Sequence, residues 1–187
     1  MTEQDNPQII HTRAWINDFI IKYNICPFAR SEVESDRVRY RSIDESDSHH
    51  CLEELILECD YLDNHPETET TLLIFSCNII SFEDFLDFVD IAEQLLIAHD
   101  YEGVYQLASF HPVYRFADTA DDDPANYTNR SPYPMLHIIR EASIEKALQN
   151  YPNPETIPEQ NIKRVRELGE EKLKALLANC LQATKPS

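Results

Sequence analysis

The chain has 187 residues, of which 42% are hydrophobic, and this predicts one domain, 1–187, with a hydrophobic core. Acidic residues outnumber basic residues 34 to 16, and so negative a surface repels phosphate backbones and anionic lipid heads. We therefore expect neither nucleic acid nor a membrane as a partner. Because the N-terminal residues lack a secretory signal and the cysteines lack zinc-finger or disulfide-framework spacing, we expect a cytoplasmic protein.

The first half of the chain alternates between helical and strand periodicity. Apolar side chains recur at helical spacing in three segments: about 6–24, which includes Trp15 and Phe19, then 52–62, and the residues after Ser81. Strand patterns occupy 37–43, 71–76 and 104–110. This order predicts an α/β fold, a small three-layer domain with about three mainly parallel strands (βαβαβ) flanked by helices.

The second half of the chain predicts one irregular segment and two further helices. An acidic stretch without periodicity extends from 111 to about 130, and a helix is expected to begin at Ser131-Pro132. Three prolines interrupt the helical pattern in 151–158, and a final amphipathic helix covers about 159–182. This C-terminal helix either packs on the domain or forms a homodimer with a second copy.

Ligands of open parallel sheets gather beyond the carboxyl ends of the strands. That rule selects residues 43–45, 77–80 and the segment from 111 onward, of which the third is the longest and most polar. His111 follows the third strand, so we expect it to act as a general base oriented by Asp122 or Asp123, or as a metal ligand. A turn histidine bonded to a backbone carbonyl is the alternative.

The predicted helix start at Ser131 is suited to an anion. Its free backbone N–H groups and the positive end of the helix dipole would lie beside Arg130, which favours a small carboxylate or phosphate as the ligand. Asn126 and Asn129 would orient that ligand through hydrogen bonds. The alternative is that Ser131 only caps the helix and that Arg130 pairs with a nearby aspartate.

On that predicted helix, His137, Arg140 and Glu141 share the face opposite the apolar one. His137 and Glu141 stand four residues apart, close enough to share a proton or, with His111, a divalent metal. Arg140 would add a second cation for the anionic substrate. A solvated face with a helical ion pair explains the same pattern.

Cys26 precedes a proline that would start a short helix, and thiols at helix N-termini have a lowered pKa. This makes Cys26 a candidate nucleophile. Flanked by Ile25 and Phe28, it is equally consistent with a small buried apolar group.

Three motifs resemble the bacterial family catalogued as domain of unknown function 1415: NxCPFA at 24–29, YQLASFHPxYRF at 105–116, and DDPANYTNRSPYPMLHIIREAS at 122–143. The resemblance implies a site at these motif positions: Cys26, His111, Asp122, Asp123, Asn126, Asn129, Arg130, His137, Arg140 and Glu141. It implies no activity, substrate or cofactor. Asp118 and Asp121 depart from the glycine and proline of the family pattern.

These features predict an enzyme that acts on a small anionic molecule, by hydrolysis or group transfer, at a polar pocket formed by 111–141. A divalent metal is a candidate cofactor. Two alternatives stay open: a non-catalytic ligand-binding or structural and oligomerisation module, and a thiol-dependent enzyme that uses Cys26.

Overall fold

The computed structural model describes residues 6–44, 47–75, 81–149 and 151–184. Seven α-helices lie within them: α1 (Pro7–Trp15), α2 (Ala29–Glu34), α3 (Ser48–Asn64), α4 (Phe82–Ala98), α5 (Glu141–Gln149), α6 (Ile157–Leu168) and α7 (Glu170–Cys180). The strands are β1 (Val38–Ile43), β2 (Thr70–Phe75), β3 (Tyr105–Phe110) and β4 (Met135–Arg140). A π-helical turn, Ile16–Ile21, continues α1, and 3-10 turns occupy Pro124–Thr128 and Pro154–Thr156.

The four strands form one mixed sheet in the order β1-β2-β4-β3. β1 and β2 are parallel, and β4 is antiparallel to both of its neighbours, β2 and β3. The prediction of an α/β fold is confirmed, but the prediction of about three mainly parallel strands is wrong. β4 lies between β2 and β3, so the crossover through α4 joins two strands that are not adjacent.

β4 is the segment that sequence periodicity assigned to a helix. Met135, Leu136, Ile138 and Ile139 fit a helical stripe, but they fit equally well a central strand whose two faces are both covered, and such a strand is apolar nearly throughout. Met135, Leu136 and Ile138 are indeed fully buried. Pro134 immediately precedes the strand and its carbonyl accepts from Phe75, which extends the pairing with β2.

Helices cover both faces of the sheet. Alternate strand residues, such as Leu73 and Leu136, pack with α3 and α4 in one hydrophobic cluster. The other residues, such as Leu72 and Met135, pack with α1, its π-helical turn, α6 and α7 in a second cluster. We call these the α3/α4 face and the α1/α7 face. Within the described residues, every helix is too short or too polar to cross a lipid bilayer.

The strands begin and end at two opposite sides of the sheet, which we call its two edges. β1, β2 and β3 run in the same direction, because β4 is antiparallel to both β2 and β3. Phe110 at the end of β3 pairs with Met135, and His111 follows it, so we call this the His111 edge. At the opposite edge Tyr105 pairs with Arg140, and we call it the Arg140 edge.

The final helical region is two helices rather than the single one predicted. Gly169 separates α6 from α7 with φ +79° and ψ 153°, outside the helical region, and it ends α6 with an N–H bond to the Val165 carbonyl. α7 packs on its own chain through Leu173 and Cys180, both buried. The homodimer through this helix stays a prediction.

Candidate functional site

The segment between β3 and β4, residues 111–134, folds back over the end of β3. The His111 amide donates to the Asn129 carbonyl at 3.1 Å, and Asn129 Nδ2 donates to the Ser109 carbonyl at 3.1 Å. Asn129 therefore holds the segment against β3 with the amide that was predicted to bind a ligand. Residue 45 and residues 77–80, from the two other predicted places at this edge, lie outside the described residues.

Asn126 fixes the middle of the segment. Its side chain is fully buried, and Oδ1 accepts hydrogen bonds from the Phe116 amide at 3.1 Å and the Thr119 hydroxyl at 2.6 Å. Nδ2 donates to the Ala120 carbonyl at 2.8 Å. Backbone groups that are partly removed from water need partners, and Asn126 supplies them where the irregular chain forms no regular hydrogen-bond ladder.

Asp123 and Asp122 differ in their surroundings. Asp123 caps the 3-10 turn by accepting from the Ala125 amide at 2.9 Å, and it accepts two bonds from Arg166 of α6, at 3.2 and 2.8 Å. The Arg166 bonds hold the pKa of the Asp123 carboxyl below its ordinary value. These bonds direct the Asp123 carboxylate towards α6, whereas Asp122 is exposed.

The predicted helix start at Ser131 is wrong. Ser131 is buried, and its hydroxyl donates to the Tyr133 carbonyl at 2.6 Å, so it stabilises an extended turn that leads into β4. No helix dipole is therefore available at Ser131. Any anion bound beside it would have to be held by side chains.

Arg130 is fixed by the backbone of its own segment. Nε donates to the Tyr114 carbonyl at 3.0 Å, Nη2 donates to the Asp121 carbonyl at 2.7 Å, and the guanidinium lies 4.7 Å from the centre of the Tyr127 ring. A guanidinium has five N–H groups, so three are not used by these two bonds. Among the described residues no carboxylate forms an ion pair with Arg130. The carboxylate of Asp121, whose carbonyl Arg130 bonds, pairs instead with Arg115 at 3.0 Å.

His111 packs towards the other side of the sheet. Its ring lies 5.3 Å from Phe82 and 5.1 Å from Phe85, both on α4, and its Nδ1 accepts from the Val113 amide at 3.3 Å. Phe85 belongs to the cluster on the α3/α4 face, whereas Tyr127, beneath Arg130, belongs to the cluster on the α1/α7 face. The imidazole and the guanidinium thus contact opposite layers, although their backbones are close.

The three predicted metal ligands are not brought together. His111 lies at one edge of the sheet, His137 lies in the middle of β4, and Glu141 lies beyond Arg140 at the opposite edge. His137 Nε2 and the Thr70 hydroxyl are 2.7 Å apart, and burial lowers the pKa of His137 to about 4. His137 and Glu141 do not share a helical face, because His137 lies within the strand β4 and Glu141 is the first residue of α5. The described residues contain no cluster of three His, Cys, Asp or Glu side chains suited to a metal.

Arg140 lies at the edge opposite His111, so it does not join Arg130 in one anion site. Nη2 donates to the Leu62 carbonyl at 2.6 Å and the Thr68 carbonyl at 3.1 Å. Nη1 donates to the Tyr105 hydroxyl at 3.1 Å. Arg140 therefore ties the end of α3 to the sheet.

Cys26 is partly buried beside the α1/α7 face. Burial raises the pKa of its thiol, against smaller opposing effects of the Phe28 and Ala29 amides. The preceding residue, Ile25, is held by Asn161 of α6, whose Nδ2 donates to its carbonyl at 2.6 Å. These contacts favour the interpretation of Cys26 as a small buried group over that of a thiolate nucleophile.

A cleft that sequence patterns did not indicate lies between α1, the 111–134 segment and α7. Its lining residues are Trp15, Phe19, Tyr127, Arg130, Leu173, Leu176, Leu177 and Cys180. Its volume of about 10 Å³ is close to the minimum for one water molecule. Trp15 is 3% exposed, and its indole N–H has no hydrogen-bond partner among the described residues. The sequence predicted Trp15 only as an apolar position of the first helix, because an unmatched donor has no sequence pattern.

The comparisons with known proteins add a family but no activity. A family model described as "Protein of unknown function (DUF1415)" matches residues 8–175. No curated protein and no solved structure matches the chain. The matched range includes the 111–134 segment and all the residues of the cleft up to Leu173.

Proposed function

Since the chain belongs to the DUF1415 family, which carries no assigned activity, we propose from its geometry that the protein is a non-catalytic binding module for a small organic anion. The anion would lie in the cleft between Arg130 and Trp15. The observation that carries this proposal is the Arg130 guanidinium, which is held in place by carbonyls and has no carboxylate partner among the described residues.

The charge of Arg130 supports an anionic ligand. A partly buried cation costs free energy unless it is paired, and the two backbone carbonyls supply only partial charges. The neighbouring carboxylates are directed to other cations, Asp121 to Arg115 and Asp123 to Arg166. A bound carboxylate would therefore give Arg130 the anionic partner that the carboxylates of its own segment do not provide.

The orientation of Arg130 also supports a ligand. Its two carbonyl bonds and the Tyr127 ring fix the plane of the guanidinium, so little side-chain entropy is lost when an anion binds. The remaining N–H groups suit two-point binding of a carboxylate. The Trp15 N–H is a further donor, and a buried donor without a partner costs about 1–3 kcal/mol.

The residues predicted to carry catalysis give less support to an enzyme. The Asn126 and Asn129 amides bond to the protein's own backbone, and the His111 ring packs against phenylalanines on the opposite face from the cleft. We therefore assign no proton transfer to His111. Hydrolysis or group transfer at 111–141, and thiol chemistry at Cys26, stay predictions.

Trp15 provides the test, because it is the only tryptophan in the chain and gives a single indole N–H signal in a proton–nitrogen correlation spectrum. We expect acetate, added at constant ionic strength, to shift this signal in a saturable way. Arg130→Gln is expected to abolish this saturable shift. Arg115→Gln is the control: it removes a charge from an exposed arginine of the same segment, and we expect it to retain the saturable shift.

A variant that keeps the fold guards against a trivial loss of binding. Trp15→Phe retains an aromatic ring but removes the N–H, and we expect it to weaken acetate binding measured by calorimetry by roughly tenfold, the effect of one hydrogen bond to a charged group. If acetate does not shift the indole signal of the unaltered protein, and Arg130→Gln does not change the response to acetate, the protein does not bind anions at this cleft.

A further inference from the structure

The lining of the cleft beyond Arg130 and Trp15 is apolar. Phe19 of the π-helical turn forms one wall, and Leu173, Leu176 and Leu177 of α7 form the other. An inorganic anion such as phosphate presents oxygen atoms on all sides, and those that faced the leucines would lose hydrogen bonds with water without replacement. A ligand with one charged end and an apolar remainder matches both halves of the lining.

We infer that the ligand is a monocarboxylate with an apolar body, bound beneath α7, which opens about Gly169 to admit it. This inference rests on the proposed function, since it takes the Arg130 anion site as given. Its carboxylate would lie on Arg130 and the Trp15 N–H, and its apolar body would lie between Phe19 and the leucines of α7.

Opening is required by the size of the cleft. A volume of about 10 Å³ accommodates no more than a water molecule, so any organic ligand must displace one wall. The wall formed by α1 and its π-helical turn is anchored in the core, because Trp15, Ile16, Phe19 and Ile20 are all buried. α7 has only two buried side chains, Leu173 and Cys180, while Leu176 and Leu177 are half-buried.

The connection between α6 and α7 suits such a movement. Gly169 has φ +79°, which side chains other than glycine rarely adopt, and a Cβ added there would contact nothing within 4 Å. Glycine is therefore required for the backbone conformation and not for space. A glycine at the start of a terminal helix allows that helix to change direction without disturbing the packing of α6.

The first experiment compares ligands on the unaltered protein through the Trp15 indole signal. Hexanoate contains four more methylene groups than acetate, and we expect it to bind on the order of 100-fold more tightly if its chain is buried. Hexan-1-ol, which lacks the charge, is expected to bind at least tenfold more weakly than hexanoate.

The second experiment places a carboxylate in the cleft from α7 itself. Leu177→Glu is expected to raise the Kd for hexanoate at least tenfold, because the new carboxylate competes for Arg130. Ala178→Glu adds the same charge to an exposed position of the same helix, and we expect it to change the Kd less than twofold. Circular dichroism shows whether each variant is folded, and Leu176→Glu replaces Leu177→Glu if the latter unfolds.

The outcomes separate the two proposals. Equal affinities for acetate and hexanoate, with dependence on Arg130, would overturn the apolar ligand and leave the anion site intact. An indole signal that moves with neither carboxylate would overturn the anion site itself. Hexan-1-ol binding as tightly as hexanoate would show an apolar site in which Arg130 has no role.

Discussion

Arg130→Ala tests whether one guanidinium organises the 111–134 segment. The substitution removes the donors to the Tyr114 and Asp121 carbonyls and the contact with the Tyr127 ring. A hydrogen bond from a charged donor contributes about 1.5–3 kcal/mol, less when it is exposed, and a cation–π contact adds about 0.5–1 kcal/mol at such a site. Since one of the two bonds is exposed, we expect a loss of about 3 kcal/mol in the free energy of unfolding.

Urea denaturation followed by circular dichroism measures this loss, with Arg115→Ala as the matched control. Arg115 belongs to the same segment, but its only described ion pair is with the exposed carboxylate of Asp121, so its removal is expected to cost less than about 1 kcal/mol. For a chain of this size, 3 kcal/mol corresponds to a decrease in Tm of about 6–12 °C. If the two variants are equally stable, the carbonyl bonds of Arg130 do not hold the segment.

Three further predictions concern polar groups that are fully or partly buried. Asn126→Ala is expected to destabilise the protein by about 2–4 kcal/mol in urea denaturation, because it removes a fully buried amide that bonds to the Phe116 N–H, the Thr119 hydroxyl and the Ala120 carbonyl. Cys26 is expected to react with iodoacetamide at pH 7.4 more slowly than a free thiol in peptide mapping, because burial raises its pKa; faster reaction would restore the thiol hypothesis. Burial lowers the pKa of His137 from 6.5 to about 4, so the unfolded chain binds more protons at this residue within that window, and the contribution of His137 to stability should fall by about 3 kcal/mol as pH drops from 6.5 to 4. His137→Gln should flatten that slope.

The first three strands could be predicted because each has an unambiguous pattern. Residues 37–43 alternate, and 71–76 form a short apolar run between turn residues; β1 and β2 match both ranges to within one residue at each end among the residues described. β4 could not be predicted, because the sequence MLHIIR matches the apolar spacing of a helix and that of a strand covered on both faces equally well. Tertiary structure decides between the two, because β4 pairs on one side with β2 and on the other with β3.

The candidate site was harder to predict than the fold. The types of residue in 111–141 led to the prediction of an anion site, but the sequence does not say whether an asparagine or an arginine bonds to a ligand or to its own backbone. Asn126 and Asn129 bond to the backbone, as an irregular segment of this length requires. The position of β4 then separated His137 and Glu141, whose predicted proximity depended entirely on a helix.

Arg130 and Arg140 together show why a carbonyl-bound arginine is not by itself a binding site. Arg140 also donates to two carbonyls, but its third bond goes to the Tyr105 hydroxyl, which in turn donates to the Asp63 carboxylate at 2.6 Å. A negative charge therefore lies one hydrogen bond away from Arg140, and its site is electrostatically complete. Arg130 has the same carbonyl support without a described carboxylate at either step, in a chain where acidic residues outnumber basic ones 34 to 16. Within the part of the chain that the structure describes, Arg130 has no carboxylate partner and the Trp15 indole N–H, from the same cleft, has no hydrogen-bond partner, which is why we propose this cleft, and not the surroundings of Arg140, for an external carboxylate.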